Sequence, residues 1–554
     1  MSTLSVLLRQ RARRDRWQLT IWIAGIGLLA VVSASAVAQT YGDYAGRENI
    51  LRLAIANPSI LMLRGTPQGG RLDAFVFFEI FTFLALLAGF MSTFLAVRHS
   101  RAEEESGRAE MIAATPAART TPTVATLIHG FLANVVLGGV VALAFTAGRL
   151  DAYGSVVTGA AVAATGVCFL GVGLLAARFM RTSRGANGVA AAAVGLAYVV
   201  RGLGDALGRP GADGIHLTPA WTSWLSPIGW GQQTGAYASN NLTPLLLSAA
   251  LAAVCLVALF LLQAHRDSGA SLLAGRAGRV NARGDLSGPL TLAWRLQLPT
   301  IVGWCIGGAA TGLLAGTLSK LAEQAASADP TVTKVLRDMD QGGGGSVDQL
   351  LISVMFSLVG VLAAVCSTQT VIRMRQEETA GTAELILTAP VDRTRWFGDY
   401  LLLGTAAIVL VLFSGAVVSS LSALAVGGDP ARVGDSFAAA VAQLPAALVY
   451  LGVLALLFVL LPGLTISLGW TLVGIGVFLG FFGALLGVPE WARNLSPFTH
   501  TPVPVGGSTD WSDGAWMLVI ALAAAAVAVA VMRQRELGGV ATWEVKPGKW
   551  ILDP

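Results

Sequence analysis

The chain has 554 residues, of which 54% are hydrophobic and 12% charged, and its mean hydropathy is +0.67. A soluble domain usually carries about 25% charged residues. Half that fraction, together with long uncharged runs, excludes an ordinary soluble protein and indicates an all-α polytopic membrane protein. The formal net charge of +5 is modest, and no nucleic-acid partner is expected. All four cysteines fall inside apolar runs, outside any CxxC or Cys/His cluster, so no metal site is expected.

Twelve apolar runs are long enough to cross about 30 Å of hydrocarbon as helices. Residues 1–16 precede the first run and carry five arginines among leucines, a pattern typical of a helix on the membrane surface. The predicted spans cover approximately residues 17–38, 74–97, 124–148, 156–177, 188–207, 244–264, 299–319, 349–372, 399–425, 437–461, 464–488 and 514–532.

The distribution of positive charge predicts the orientation. With the N-terminus inside, 25 of the 37 Lys and Arg residues fall in inward-facing segments. The positive-inside rule therefore places both termini in the cytoplasm. Basic residues are almost all arginine, and Ala and Gly are abundant, which suggests a GC-rich bacterial genome and hence a bacterial plasma membrane.

An internal repeat divides the chain. Residues 101–120 read RAEEESGRAEMIAATPAART and residues 375–394 read RQEETAGTAELILTAPVDRT, with ten of twenty positions identical at an offset of 274. Leu-Ser-Pro recurs at 225–227 and 495–497, and Arg-acid pairs recur at 266–267 and 535–536. Six spans per copy predict a parallel repeat, two six-helix bundles with a pseudo-two-fold axis along the membrane normal. The predicted domains are a first half 1–264, a cytoplasmic linker 265–290, a second half 291–532 and a tail 533–554.

The repeated segments lie between the second and third spans of each half. We call residues 98–123 loop 1 and residues 373–396 loop 2. Glu103, Gly107 and Glu110 are spaced i, i+4, i+7, which predicts that they share one face of a short helix that a proline ends. An acidic loop can be a solvated connector, but its retention in both halves favours docking onto a cytoplasmic partner. The predicted docking residues are Glu103, Glu104, Gly107, Glu110, Pro116 and Arg119 in loop 1, and Glu377, Glu378, Gly381, Glu384, Pro390 and Arg393 in loop 2.

The sequence contains no GxxxxGK[ST] phosphate-binding loop. If ATP drives this protein, we expect the ATPase to be a separate subunit, present in two copies because there are two loops. ATP and Mg²⁺ would then bind to that subunit, and no cofactor or catalytic residue is expected in this chain.

The run EETAGTAELILTAPVDRTRW in loop 2 resembles the cytoplasmic loop of type-2 ABC exporter permeases, with its pattern EExxGTxELLLxTPVxR. The fused twelve-span layout, LAWRLQ at 292–297 and the Leu-Ser-Pro motifs resemble actinobacterial permeases that export polyketide antibiotics, of the tetronasin-resistance type. Loop 1 departs from the pattern, since Arg108 replaces the usual Thr.

This resemblance implies a coupling helix in each loop and a hydrophobic or amphipathic substrate, such as an antibiotic. It also implies that short re-entrant helices cap the pathway on the outer side. Those cap segments would contain Trp221, Leu225 and Pro227 in the first half, and Trp491, Leu495 and Pro497 in the second.

Several polar residues interrupt the predicted spans. Glu79 lies within the second span among phenylalanines that include Phe75 and Phe78, and its counterpart in the second half is Ser353. Glu79 is either a substrate-facing group, which would place these residues along the pathway, or a hydrogen-bonded structural carboxyl group. Other intramembrane polar residues are better interpreted as structural: Arg201 and Asp205 as an intrahelical pair, and His129 and Asn134 as interhelical hydrogen-bonders.

Two other classes of function fit the sequence less well. A secondary multidrug transporter driven by an ion gradient also has six plus six spans, but that class carries a basic motif between spans 2 and 3, where this chain is acidic. An intramembrane enzyme is disfavoured because no HExxH, GxSxG or paired intramembrane aspartates occur.

Overall fold

The structure is a computed structural model that describes residues 3–56, 58–264, 288–328, 347–425, 427, 430, 433–482, 488–504 and 509–535. The chain divides into two compact units, residues 1–278 and 279–554. Each unit contains six helices long and apolar enough to cross a membrane, twelve among the described residues. The predicted all-α polytopic fold is confirmed. Most of the expected linker (265–287) and tail (536–554) lies outside the described residues, as do Arg266, Asp267 and Glu536.

Unit 1 begins with a 38-residue helix. Its helices are α1 (Thr3–Thr40), α2 (Tyr44–Ala56), α3 (Pro58–Arg64), α4 (Leu72–Arg98), α5 (Arg101–Glu105), α6 (Arg108–Ala113), α7 (Thr121–Ala147), α8 (Ala152–Phe179), α9 (Ser183–Ala206), α10 (Pro227–Gln232) and α11 (Leu245–Ala264). A 3₁₀ turn, Trp221–Leu225, precedes α10, and a two-residue antiparallel pair joins β1 (Arg209–Pro210) to β2 (Leu217–Thr218).

Unit 2 repeats the order of spans with different connections. Its helices are α12 (Pro289–Ala328), α13 (Val347–Thr379), α14 (Thr382–Leu387), α15 (Arg393–Ala425), α16 (Val433–Ala442), α17 (Leu444–Leu460), α18 (Thr465–Val477), α19 (Glu490–Arg493) and α20 (Ser512–Met532). One predicted span is divided between α16 and α17, and the break at Gln443 directly precedes the turn that contains Pro445. The sequence places Pro445 within the predicted span 437–461, where proline is expected to kink the helix by removing a hydrogen bond, and the break agrees with that expectation.

The first span differs from the prediction at its N-terminal end. Residues 1–16 were expected to form a surface helix, but α1 runs without a break from Thr3 through the apolar run. At 1.5 Å per residue such a helix is about 57 Å long, far more than the hydrocarbon thickness. Its basic first part is held against α4 and α7 through Arg11 and Asp15, both of which are buried.

Glycines allow the closest helix crossing in unit 2. Gly308, Gly312 and Gly316 recur every four residues along one face of α12, opposite α15. A Cβ atom built on Gly312 would lie 2.2 Å from the carbonyl oxygen of Gly415, so a side chain there is sterically excluded. Small residues at this spacing are typical of packed transmembrane helices, where backbone approach replaces the hydrophobic effect as the source of stability.

Candidate functional site

Loops 1 and 2 have the same backbone bend. Gly107 and Gly381 both have φ of +71°, the left-handed region that favours glycine, and each begins a short helix, α6 or α14. Each glycine therefore separates the upstream glutamates from the short helix. The prediction that Glu103, Gly107 and Glu110 share one helix face is wrong, and the same holds for the equivalent positions of loop 2.

The upstream glutamates of loop 1 point into unit 1. Glu103 is buried and accepts hydrogen bonds from Arg11 and Arg14 of α1, both at 3.3 Å. Glu104 forms ion pairs with Arg101 at 2.6 Å and with Arg178 of α8 at 3.1 Å. Both carboxylates therefore fix loop 1 to helices outside the loop rather than facing a partner.

The upstream glutamates of loop 2 are also buried, with different partners. Glu377 pairs with Arg373 one turn earlier on α13, at 3.2 Å. Glu378 pairs with Arg375, at 2.6 Å, and with Arg535, which follows the last span. Glu378 therefore ties loop 2 to a distant part of unit 2 through Arg535.

The short helices present the exposed part of each loop. Glu110 and Met111 of α6 are exposed, and so are Glu384 and Leu385 of α14, at the same offset of 274. Met111 is 65% and Leu385 72% accessible, a high exposure for large apolar side chains. We call each pair, Glu110–Met111 and Glu384–Leu385, a loop tip. A carboxylate beside an exposed apolar group favours a partner surface that is both basic and apolar.

The prolines and arginines downstream complete the loops. Pro116 and Pro390 are exposed three residues beyond the ends of α6 and α14, as the sequence predicted. The backbone oxygen of Arg119 accepts a hydrogen bond from Gln263 at 2.8 Å, and Arg393 donates to the backbone oxygen of Arg535 at 2.6 Å. The end of each loop is therefore tied to the C-terminal end of the last span of its own unit.

A buried cluster of histidines lies at the base of loop 1. His99 Nε2 and His129 Nε2 both contact Asp15 Oδ2, the latter at 3.0 Å. His99 Nδ1 lies 3.1 Å from Glu103 Oε1, and Arg98 Nε lies 2.9 Å from Asp15 Oδ1. The cluster joins α1, the end of α4 and α7, and confirms that His129 bridges helices.

The Leu-Ser-Pro segments share one local structure in both units. Ser226 and Ser496 are buried, and each hydroxyl donates to a backbone carbonyl of the preceding span at 2.7 Å: Ala197 O in unit 1 and Gly476 O in unit 2. Each hydroxyl also accepts from a backbone N–H of the short helix that it precedes, α10 in unit 1 and a 3₁₀ turn at Pro497–His500 in unit 2. The sequence interpretation named the flanking residues of this motif and missed the serine, although its repetition in both halves was a usable signal.

The flanking residues of those segments behave alike in the two units. Trp221 and Trp491 are each 72% accessible, and Leu225 and Leu495 are exposed as well. Pro227 is buried and Pro497 is partly buried. Exposed tryptophans at the ends of spans are typical of the membrane interface.

A family model described as "Multidrug efflux system permease Rv1217c, C-terminal domain" matches residues 8–262 and 286–533, one stretch in each unit. The chain is also 33% identical over 539 residues to the multidrug efflux system permease protein Rv1217c of Mycobacterium tuberculosis strain ATCC 25618 / H37Rv. That alignment covers 96% of this chain and 94% of the mycobacterial protein. The chain belongs to this family of efflux permeases. It is thus a multi-pass membrane transport protein, as its twelve apolar helices indicate.

In this permease, the residues proposed for the pathway are packed inside the units. Phe75 and Phe78 are buried in the core of unit 1, with ring centroids 6.1 Å apart. Glu79 pairs with Arg64 of α3, an arginine that the sequence interpretation did not connect with it. Ser353 is buried on α13. The ion pair favours the structural interpretation of Glu79, since a paired carboxylate in the membrane no longer needs a ligand.

The predicted pair of Arg201 and Asp205 is confirmed, at 2.8 Å, with both side chains fully buried. It belongs to a larger polar network: Gln232 of α10 donates to Asp205 at 3.2 Å, and Ser223 donates to the same carboxylate at 3.0 Å. Arg201 also donates to the backbone oxygen of Met62. The network holds the segments between spans against the end of α9, a structural role.

Proposed function

We propose that this permease is the membrane-spanning subunit of an ATP-driven ABC exporter, coupled to a separate ATPase through loops 1 and 2. The observation that carries this proposal is the pair of matching loop tips. In both loops a left-handed glycine separates internally anchored glutamates from a short exposed helix that presents a carboxylate beside a large apolar side chain.

Each loop has a buried part that is fixed to its own unit and an exposed tip, and this arrangement supports transmission of force from a partner to the spans. Glu103 and Glu378 are buried and bound by arginines from distant parts of their own units. A force applied to Glu110 or Glu384 on the tip would therefore reach the spans through these ion pairs. Rigid connections of this kind are what a partner needs to shift a transporter between two states.

Two tips call for two copies of the ATPase, which would hold ATP and Mg²⁺. On this proposal the loops and both termini face the cytoplasm of a bacterial cell and the permease lies in the plasma membrane, consistent with the concentration of Lys and Arg in these segments.

The substrate class proposed is hydrophobic or amphipathic compounds, including antibiotics. A half-open cavity of about 290 Å³ in unit 1 supports it. The cavity lies between α7, α8 and α11, and apolar side chains including Phe131, Leu170 and Leu256 line it together with Gly171. An apolar lining of this kind favours hydrophobic ligands, because their burial removes apolar surface from water. The mycobacterial relative is named as a multidrug efflux permease, which agrees with this class.

The proposal is tested by purifying the permease from native membranes, identifying an ABC ATPase that remains bound, and reconstituting the two in proteoliposomes. The double variant Glu110→Lys/Glu384→Lys reverses both tip charges. We expect about tenfold weaker ATPase binding, because like charges then meet across the interface. The matched control is Glu490→Lys, a charge reversal at an exposed residue between the last two spans.

The expected result is that the control binds the ATPase and transports normally, while the double variant inserts into membranes but loses ATPase binding or uncouples hydrolysis from transport. Normal binding and coupling in the double variant would remove the tips from the mechanism. Efflux by the permease alone, driven by an ion gradient, would replace the proposal with a secondary transporter.

A further inference from the structure

Three possible metal ligands converge inside unit 1. They are Asp15 of α1, His99 just beyond α4 and His129 of α7, and one ligand atom from each lies within 4.8 Å of the other two. All three residues are buried. Together they form a contact between α1, the end of α4 and α7 at the base of loop 1. His99 lies four residues before Glu103 in the sequence.

The three ligand atoms lie close enough together to share one ion. Both imidazole Nε2 atoms face the same oxygen, Oδ2 of Asp15, while Arg98 Nε lies 2.9 Å from Oδ1. Tetrahedral zinc ligands at about 2.1 Å from the ion lie about 3.4 Å apart. The 3.0 Å between His129 Nε2 and Asp15 Oδ2 is a hydrogen-bond distance, so these two atoms would move apart by about 0.4 Å around an ion.

Glu103 is placed to act as an outer-shell partner of such a site. Glu103 Oε1 lies 3.1 Å from His99 Nδ1, so a proton on Nδ1 leaves the Nε2 lone pair free for a metal. The carboxylates of Asp15 and Glu103 oppose the charges of Arg11, Arg14 and Arg98, each of which contacts one of them.

We propose that Asp15, His99 and His129 bind one divalent transition-metal ion, with zinc the best match to two imidazoles and one carboxylate. The ion fastens α1 to α4 and α7 directly below loop 1 and fixes the position of Glu103 through His99. The equivalent positions of unit 2 do not carry these ligands, since the offset of 274 places Arg373 and Leu403 at the positions of His99 and His129.

The test is direct metal binding to the full-length permease, purified in detergent without a polyhistidine tag. Wild-type protein, stripped with a chelator and titrated with zinc alone, is expected to bind one ion per chain, and cobalt(II) is expected to give the visible absorption of a four-coordinate site without thiolate bands. This measurement needs no variant. Failure of the folded wild-type protein to take up zinc or cobalt overturns the proposal.

Variants then locate the ion. His129→Gln should abolish the stoichiometric site, and Glu103→Gln, which leaves all three ligands in place but replaces the carboxylate next to His99 Nδ1, should weaken zinc affinity about 10- to 100-fold. The matched control is His216→Gln, which removes a histidine paired with Asp213 on an exposed connection of the same unit. Unchanged zinc binding in His129→Gln contradicts the assignment. A metal-free site whose variants alter only the pH dependence of unfolding shows that a proton occupies it, and also overturns the proposal.

Discussion

Loops 1 and 2 show what a duplicated motif keeps and what it loses. Both keep the left-handed glycine, the short helix and the exposed tip. Their anchors differ: loop 1 is fixed by Glu103 to the first helix of its unit, and loop 2 by Glu378 to Arg535 after the last span. The two copies thus agree where they face outward and differ where they face their own unit.

This contrast separates two kinds of constraint. Under the proposed function, a common partner would impose the same shape and charge on both exposed tips. The buried carboxylates need only an arginine within reach, and any nearby helix can supply one. In loop 1 the glutamates pair with Arg11 and Arg178, which lie 92 and 74 residues away in the sequence. In loop 2, by contrast, Glu377 pairs with an arginine on its own helix.

The largest expected effect comes from removing the equivalent glutamates one at a time. Glu103→Gln leaves the buried guanidinium of Arg11 without its carboxylate, and we expect the free energy of unfolding to fall by about 3 kcal/mol. Glu377→Gln breaks a pair with Arg373, a partly exposed partner on the same helix, and should lower it by about 1 kcal/mol. Thermal unfolding in detergent, followed by tryptophan fluorescence, compares the two.

Both variants should be measured with chelator and with added zinc, so that any effect of an ion at Asp15 is separated from the loss of the Arg11 pair. Equal destabilisation by the two substitutions under both conditions would show that the anchors are interchangeable and that the contrast between the loops has no energetic meaning.

A smaller effect, equal in the two loops, is expected at the glycines. A Cβ atom at Gly107 or Gly381 would meet nothing within 4 Å, so alanine acts only through the left-handed backbone. Gly107→Ala and Gly381→Ala should each lower the free energy of unfolding by about 1 kcal/mol, and asparagine at either position by less. The same unfolding assay measures both. A large difference between the loops would mean that their bends are not equivalent after all.

The sequence predicted the spans well because hydrophobic length depends on local composition alone. Twelve runs became twelve candidate spans, and Pro445 marks a break, because both follow from neighbouring residues. The short helix of each loop and the proline beyond it were also predictable. The shared acidic face was not predictable in this way, because the positive φ of Gly107 interrupts the continuous helix on which the i, i+4, i+7 spacing depends.

The partners of the buried charges were beyond reach of the sequence. Glu103 and Arg11 are 92 residues apart, and Glu378 and Arg535 are 157 apart. Nothing in local spacing says which of the many arginines approaches a given carboxylate. For the same reason the sequence predicts Asp15 in a surface segment, whereas the structure buries it against two histidines, one just beyond α4 and one on α7.

The central claim, that ATP hydrolysis on a partner is transmitted through the two loops, is tested most directly by transport in sealed vesicles. Inside-out proteoliposomes would contain the permease and its co-purifying ATPase. ATP and Mg²⁺ would be added to the external medium, and ionophores would collapse all ion gradients. We predict accumulation of a hydrophobic dye that stops when the ATPase is inactivated by mutation. Accumulation by the permease without any ATPase, in matched vesicles that keep an ion gradient because ionophores are omitted, would contradict the account.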